Sequence, residues 1–190
     1  MQGCKIMSVT KVIEAEGGKQ IKIYDNAVSR TWLGHGYMFA QGSFFQIGYH
    51  DSDERHDQAY QLMYSRYSED DLDQLGLLHA IKSDELREEI QSMVLHQCMI
   101  NLSMPAQVNF AHIHADKTLL VYLNPRWDEH WAGETQFYND DITEVIYTSM
   151  FKPCRAILFD GGIPHTMRPQ SIVAPQYRLT AALAFNRREF

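Results

Sequence analysis

Residues His112–Asn124, HIHADKTLLVYLN, decide how the rest of this chain is read. His114 and Asp116 are one residue apart, and side chains of an extended chain repeat every two positions, so both are expected on the same side. An imidazole and a carboxylate so placed form a ligand pair. A second imidazole from elsewhere completes the two-histidine, one-carboxylate set that grips ferrous iron by one face and leaves the other open.

Working outward, the second imidazole is found in FDGGIPHTM, where His165 follows an expected strand and a Gly-Gly-x-Pro turn that holds the backbone on a fixed path. It comes 49 residues after Asp116, so it arrives from a different strand. The final apolar stretch, RLTAALAF, supplies the cavity. Alternation puts Arg178, Thr180, Ala182 and Ala184 on one face and Leu179, Ala181, Leu183 and Phe185 on the other. The first face is small with a single charge, and the second is apolar and bulky. A cavity holding a dicarboxylate beside a metal needs the first: free volume, one guanidinium for a bidentate contact and a hydroxyl next to it. Tyr122, on the strand after the HxD pair, adds a phenol to the same carboxylate.

Composition sets the limits. With 190 residues, 45% of them hydrophobic, the chain reads as one domain with a substantial core. A formal net charge of -7 disfavours nucleic acid as a partner, since phosphate binding rests on clustered Lys and Arg. No apolar run is long enough to span a bilayer, and MQGCKIMSVT leads into a charged segment instead of a signal h-region, so no membrane partner is expected. The three cysteines, Cys4, Cys98 and Cys154, are odd in number and scattered, which fits a reducing, cytoplasmic setting.

Along the chain, QIKIY (20–24) alternates as a strand closed by Asp25 and Asn26, and Val28, Trp32 and Phe39 fit one face of a helix. A strand follows around Gly42–Gly48, DSDERHDQAY is too polar for core, and the stretch up to Met63 reads as a surface loop, of a kind that often closes over a site; whether 49–63 form a lid is left open by the sequence. His50 and His56 receive no role there. Ser68 and Ser83 each open a helix, the first through a capping box completed by Asp71. From about Gln97 the pattern turns to short strands: CMINLS, QVNFAHIHA, TLLVYLN, ETQFY, EVIYTSM, RAILFD and RLTAALAF. Helices first and strands afterwards predict an α+β domain, with residues 1–95 a helical support with strands and 96–190 a catalytic β core.

HIHAD, YLNPRWDEHWAGETQFY, KPCRAILFDGGIPH and YRLTAALAF, in that order over roughly residues 107–186, resemble the iron(II) and 2-oxoglutarate-dependent oxygenases, nearest the prolyl-4-hydroxylase-like branch. The resemblance implies a double-stranded β-helix, a jelly-roll or cupin-like barrel braced by the N-terminal helices. It implies Fe(II) on His114, Asp116 and His165, and 2-oxoglutarate held through its distal carboxylate by Arg178, with Tyr122 and Thr180 beside it. The activity implied is O2-dependent hydroxylation of a C–H bond in a prolyl, amino-acid, peptide or small-molecule substrate, with release of succinate and CO2 and with ascorbate as a reductant. Asp116 stands where halogenating relatives have Gly or Ala, which favours hydroxylation.

The chain departs from the family at Ala132 and Cys154, where glycine is common, and in the 13 residues between His165 and Arg178. Other readings are weaker. A cupin-type HxH site needs a downstream glutamate where this chain has Lys117 and Thr118, so His112 is taken as a packed residue or one that supports a ligand. An AlkB-type demethylase wants a second arginine where Ala184 stands. A non-catalytic module that only binds 2-oxoglutarate and metal is the alternative from another class. Trp127 and Trp131 are read as hairpin packing.

Overall fold

In the computed structural model, which describes residues 9–49, 62–114, 116–174 and 176–188, the first elements are an antiparallel pair, β1 (Lys11–Glu14) and β2 (Gln20–Tyr24). Helix α1 (Arg30–Gln41) starts where the Ser29 hydroxyl accepts the Trp32 amide at 3.1 Å. Its buried residues are Trp32, Leu33, Gly36 and Ala40. This corrects the expected face: Val28 lies before the helix in a bridge to Ile81, and Phe39 is exposed. Gly36 packs under the Trp32 ring, where a Cβ would make only ordinary van der Waals contact at 3.4 Å.

The next strands, β3 (Gln46–Tyr49) and β4 (Leu62–Tyr67), pair with each other. Most of the expected surface loop, residues 50–61, lies outside the described residues. Ser68 caps α2 (Glu69–Leu75) with the full reciprocal box, its hydroxyl accepting from Asp71 N at 3.2 Å and its amide donating to Asp71 Oδ2 at 2.8 Å. Gly76, at φ 65°, turns the chain into α3 (Leu77–Ala80), and Ser83 caps α4 (Asp84–Gln91).

The remaining strands are β5 (Met93–Ser103), β6 (Lys117–Tyr122), β7 (Thr135–Tyr138), β8 (Val145–Ser149), β9 (Ala156–Asp160), β10 (His165–Met167) and β11 (Arg178–Arg187). They make an eight-stranded sheet in the order β1-β2-β9-β6-β11-β5-β4-β3 and a three-stranded sheet in the order β10-β7-β8. Every ladder is antiparallel. One expected strand, 107–115, is not found among the described residues: 107–114 form no ladder there, and the bridge recorded for them is the isolated His112↔His165. Ala106, at φ 60°, breaks the extended path, and its amide is taken by the Gln170 carbonyl at 2.9 Å.

Alternation along the central strands divides the core. Leu179, Ala181, Leu183 and Phe185 of β11, with Cys98 and Ile100 of β5 and Leu119 and Val121 of β6, pack against Trp32, Leu33, Leu77, Leu86 and Ile90 from the helices. On the other side, Leu120, Tyr122, Ile157 and Phe159 meet Phe137 and Phe151 between the two sheets. Losing one such fully buried side chain to alanine costs about 2 to 5 kcal/mol. No helix among the described residues is long and apolar enough to cross a membrane.

Ala132 sits at φ 56° and ψ -140°, a region that suits glycine. Ala132→Gly is expected to stabilise the fold by about 1 kcal/mol, read as a higher urea midpoint at unchanged slope. A lowered midpoint would show that the backbone there is unstrained.

Candidate metal centre

Three imidazoles converge where the 112–114 segment runs beside β10. The His112 and His165 backbones exchange both hydrogen bonds, N to O at 3.1 Å and 3.0 Å, and His114 N donates to Gly161 O at 2.8 Å. These three contacts lock two segments far apart in sequence into one register. The ligand-bearing nitrogens of His112, His114 and His165 all lie within 4.8 Å of one another. The ring centroids stand 4.6 to 5.0 Å apart.

The carbonyls beneath the rings set the tautomers. His112 Nδ1 is 3.0 Å from Phe110 O and His165 Nδ1 is 3.0 Å from Ile163 O. Donation to these carbonyls leaves the Nε2 lone pair of each ring for a metal. His112 Nε2 and His114 Nε2 face each other at 3.2 Å. Burial pulls His114 down to about 4, helped by His112. Burial likewise holds His165 well below the ordinary histidine value. Both rings are therefore neutral at pH 7, the state in which imidazole binds metal.

Asp116 is not brought to this group. Its side chain is exposed, and Oδ2 accepts the backbone amide of Arg187 at 2.8 Å. Period-two alternation carries from His112 to His114 and stops there, because the chain bends at Asp116 before β6 begins. His112 takes the place beside His114. Its sequence signal is the HxH spacing itself, at residues 112 and 114.

Arg178 points where the alternation of its strand puts it. It is 3% exposed and lines the same cavity as the three histidines, together with Thr180, Ala182 and Ala184. Its Nε donates to Gly133 O at 2.8 Å and an Nη to Thr135 Oγ1 at 3.2 Å. Among the described residues no carboxylate forms a salt bridge with it, although the charge of Glu134 supports its charged state. Burial brings the guanidinium down to about 10, still charged at neutral pH. Gln170 fixes the position by accepting the Arg178 amide at 3.0 Å, and Asn124 does the same for Leu179 at 2.8 Å.

Tyr122 lies beneath the guanidinium and does not line the cavity. Its ring centroid is 5.6 Å from the Arg178 carbon, and its hydroxyl donates to Thr135 Oγ1 at 3.0 Å. The Trp127 and Trp131 rings pack edge to face at 5.5 Å, with Trp127 Nε1 donating to Ala132 O at 2.9 Å. Asn101, missed in the sequence, is the cross-strand partner of Thr180 and lines the cavity. The Asn101 and Asn109 side-chain oxygens and the Thr118 and Thr166 hydroxyls are buried in this cavity without a hydrogen-bond partner. Such orphaned groups point to a polar ligand.

No family model matches the sequence, and no curated protein matches it. Solved structures do. A prolyl-4-hydroxylase from Pseudomonas putida is 14% identical, with a TM-score of 0.61 over 89% of this chain and 93% of its own. An oxidoreductase of the 2OG-Fe(II) oxygenase family from Burkholderia pseudomallei is 10% identical, with a TM-score of 0.67 over 89% and 86%. HygX from Streptomyces hygroscopicus, solved with nickel and 2-oxoglutarate bound, is 8% identical, with a TM-score of 0.63 over 90% and 84%. The chain thus has the double-stranded β-helix fold of the 2OG-Fe(II) oxygenases, prolyl hydroxylases among them, as the sequence motifs implied.

The depressed histidines carry a pH signature in the metal-free protein. Between the unfolded value of about 6.5 and their lower folded values, the unfolded chain binds protons that the folded chain refuses. Stability should therefore fall as pH drops from 7 to 5, by up to about 1.4 kcal/mol per pH unit for each histidine. Urea midpoints of the wild type and His114→Gln across that range test this. The variant is expected to give the shallower slope, and equal slopes would mean that His114 titrates normally.

Proposed function

We propose that this chain is an Fe(II)- and 2-oxoglutarate-dependent dioxygenase that hydroxylates a C–H bond in a prolyl, amino-acid or other small-molecule or peptide substrate. The observation that carries this is Arg178, a buried guanidinium that forms no carboxylate salt bridge among the described residues, in the cavity that also holds the histidine cluster. A buried charge left unpaired costs several kcal/mol, so its retention argues for an anionic ligand. Ferrous iron with 2-oxoglutarate and O2 would supply the oxidising chemistry, converting the co-substrate to succinate and CO2 as the substrate is hydroxylated.

The chain's own residues divide the remaining work. His114 and His165, neutral and held by backbone contacts, supply metal ligands. Arg178 takes the distal carboxylate, with the Thr180 hydroxyl and the Asn101 amide on the neighbouring ladder positions to complete its hydrogen bonds. Register supports this spacing: Thr135 holds Arg178, and Phe137, two residues along β7, is paired with His165. Two residues of strand span about 6.7 Å, comparable with a five-carbon dicarboxylate stretched between guanidinium and metal. Tyr122 acts through Thr135, whose hydroxyl it holds in place.

Beyond that span, Ala182 and Ala184 leave room, and Met99, Leu120 and Phe159 exclude water from it. Among the described residues no carboxylate lines the cavity, which suits an uncharged primary substrate. A reducing, cytoplasmic setting would keep the iron ferrous and the buried thiols Cys98 and Cys154 free.

Two measurements test the reading. Arg178→Met, which keeps bulk and removes charge, is expected to weaken 2-oxoglutarate binding to the metal-loaded protein by about 10- to 150-fold, the loss of one charge-assisted contact. Wild-type protein supplied with Fe(II), 2-oxoglutarate, ascorbate and air across pools of amino acids, peptides and small metabolites should form succinate above a His165→Ala control. Succinate at the control level throughout would leave a binding module without turnover.

A further inference from the structure

We propose that Gln97 and Thr118 are the residues that read the primary substrate, and that this substrate presents them with a neutral carboxamide. The inference rests on the oxygenase reading above and deepens it, by fixing the end of the cavity where the substrate binds and the group recognised there.

The register of the three central strands carries it. β5, β11 and β6 lie side by side, so residues level with one another form rows across the cavity wall. Ser103 with Arg178, and Asn101 with Thr180, make two polar rows. Met99, Ala182 and Leu120 make an apolar third. The fourth turns polar again, with Ala184 flanked by Gln97 on one side and Thr118 on the other. All of these residues line the cavity. Ala184 is six residues beyond Arg178, about 20 Å of strand. That is about three times the span assigned to the dicarboxylate, so the fourth row serves another molecule. Thr118 follows His114 by four residues, which puts this row at the histidine end of the cavity.

Both flanking side chains have hydrogen-bonding capacity left over. Thr118 is 2% exposed, and its hydroxyl is buried without a hydrogen-bond partner, a state that folded proteins rarely keep unless something else supplies the partner. Gln97 Nε2 stands 2.8 Å from Met99 Sδ. A thioether is a weak acceptor, so the donors of this amide are barely used. The ladder also changes here. Ala184 is level with Gln97 and Phe185 with Leu95, which leaves His96 as an extra residue in β5. Bulges of this kind re-aim neighbouring side chains and recur beside active sites.

The chemistry of the pair selects the ligand. Among the described residues Arg178 is the only Asp, Glu, Lys or Arg that lines the cavity. A carboxylate or ammonium at the fourth row would therefore be buried with no side chain of opposite charge beside it. An amide and a hydroxyl, each able to donate and accept, face each other across the Ala184 methyl. β5 and β6 are about 10 Å apart across β11, which leaves a slot for one planar group. A carboxamide answers both walls: its carbonyl accepts from Gln97 Nε2 and its N–H donates to Thr118 Oγ1.

The test uses protein loaded with Ni(II) and 2-oxoglutarate and follows binding by NMR titration, without turnover. The probes are the carboxamide, carboxylate and aminomethyl forms of cyclopentane and of benzene. The carboxamides are expected to bind at least about fivefold tighter than the charged forms. Thr118→Val and Gln97→Met should each weaken carboxamide binding about 3- to 10-fold, the worth of one neutral hydrogen bond, and Thr118→Ser should retain it. Replacing an unpartnered buried hydroxyl by a methyl should also raise the urea midpoint of Thr118→Val, so stability and binding move in opposite directions. A midpoint and a carboxamide affinity that fall together make the hydroxyl a structural one and overturn the proposal. Carboxamides that bind no tighter than the acids and amines, or that bind both variants as they bind wild type, also overturn it, and each of these results leaves the oxygenase reading standing. Protein that takes up neither Ni(II) nor 2-oxoglutarate overturns the oxygenase reading and this proposal with it.

Discussion

A strand hydrogen-bonded along both edges has only its two faces left for side chains, and β11 is such a strand. One face must satisfy the helices and the other must leave a cavity open, within a sequence that changes direction at every residue. Leucine, alanine, leucine and phenylalanine fill the first side; arginine, threonine and two alanines line the second. The anion-binding guanidinium, the small wall beyond it and the packing that stiffens both are thus one constraint. A one-residue slip of β11 would put Arg178 into the apolar layer and Leu179 into the cavity.

The cavity's electrostatics follow from what it lacks. Among the described residues three imidazoles and a guanidinium line it, and no carboxylate does. In water such a group would be neutralised by mobile ions; behind a wall of Met99, Leu120 and Phe159 that remedy is limited. The protein tolerates the arrangement because two of the imidazoles are held neutral by burial and the guanidinium leans on backbone and hydroxyl oxygens at Gly133 and Thr135. The balance is left to a ligand.

How much of this was legible depended on whether a residue's surroundings are local. The faces of β11 were readable because alternation is a property of any strand, and the Ser68 cap because its partner is three residues away. The placement of His112 was not. Whether the HIHAD run presents 112 and 114 or 114 and 116 depends on where β6 begins and on the Gly161 carbonyl that anchors His114. That carbonyl lies 47 residues downstream of His114, where no spacing rule reaches. Asn101 and Gln170 were hidden for the same reason: each matters through a neighbour on another strand. The glycine-like positions Ala132 and Cys154 gave a correct hint, since both take positive φ.

The order of the large sheet has a bearing on biosynthesis. β5 and β6 are both made before β11, yet in the sheet they never touch, because β11 lies between them. A nascent chain on the ribosome can form the helical layer and the outer ladders, but a gap stays open down the middle until residues 178–187 emerge. Non-local closure of this kind is slow. The half-built sheet therefore has two unfilled inner edges, on β5 and β6, until β11 pairs with both.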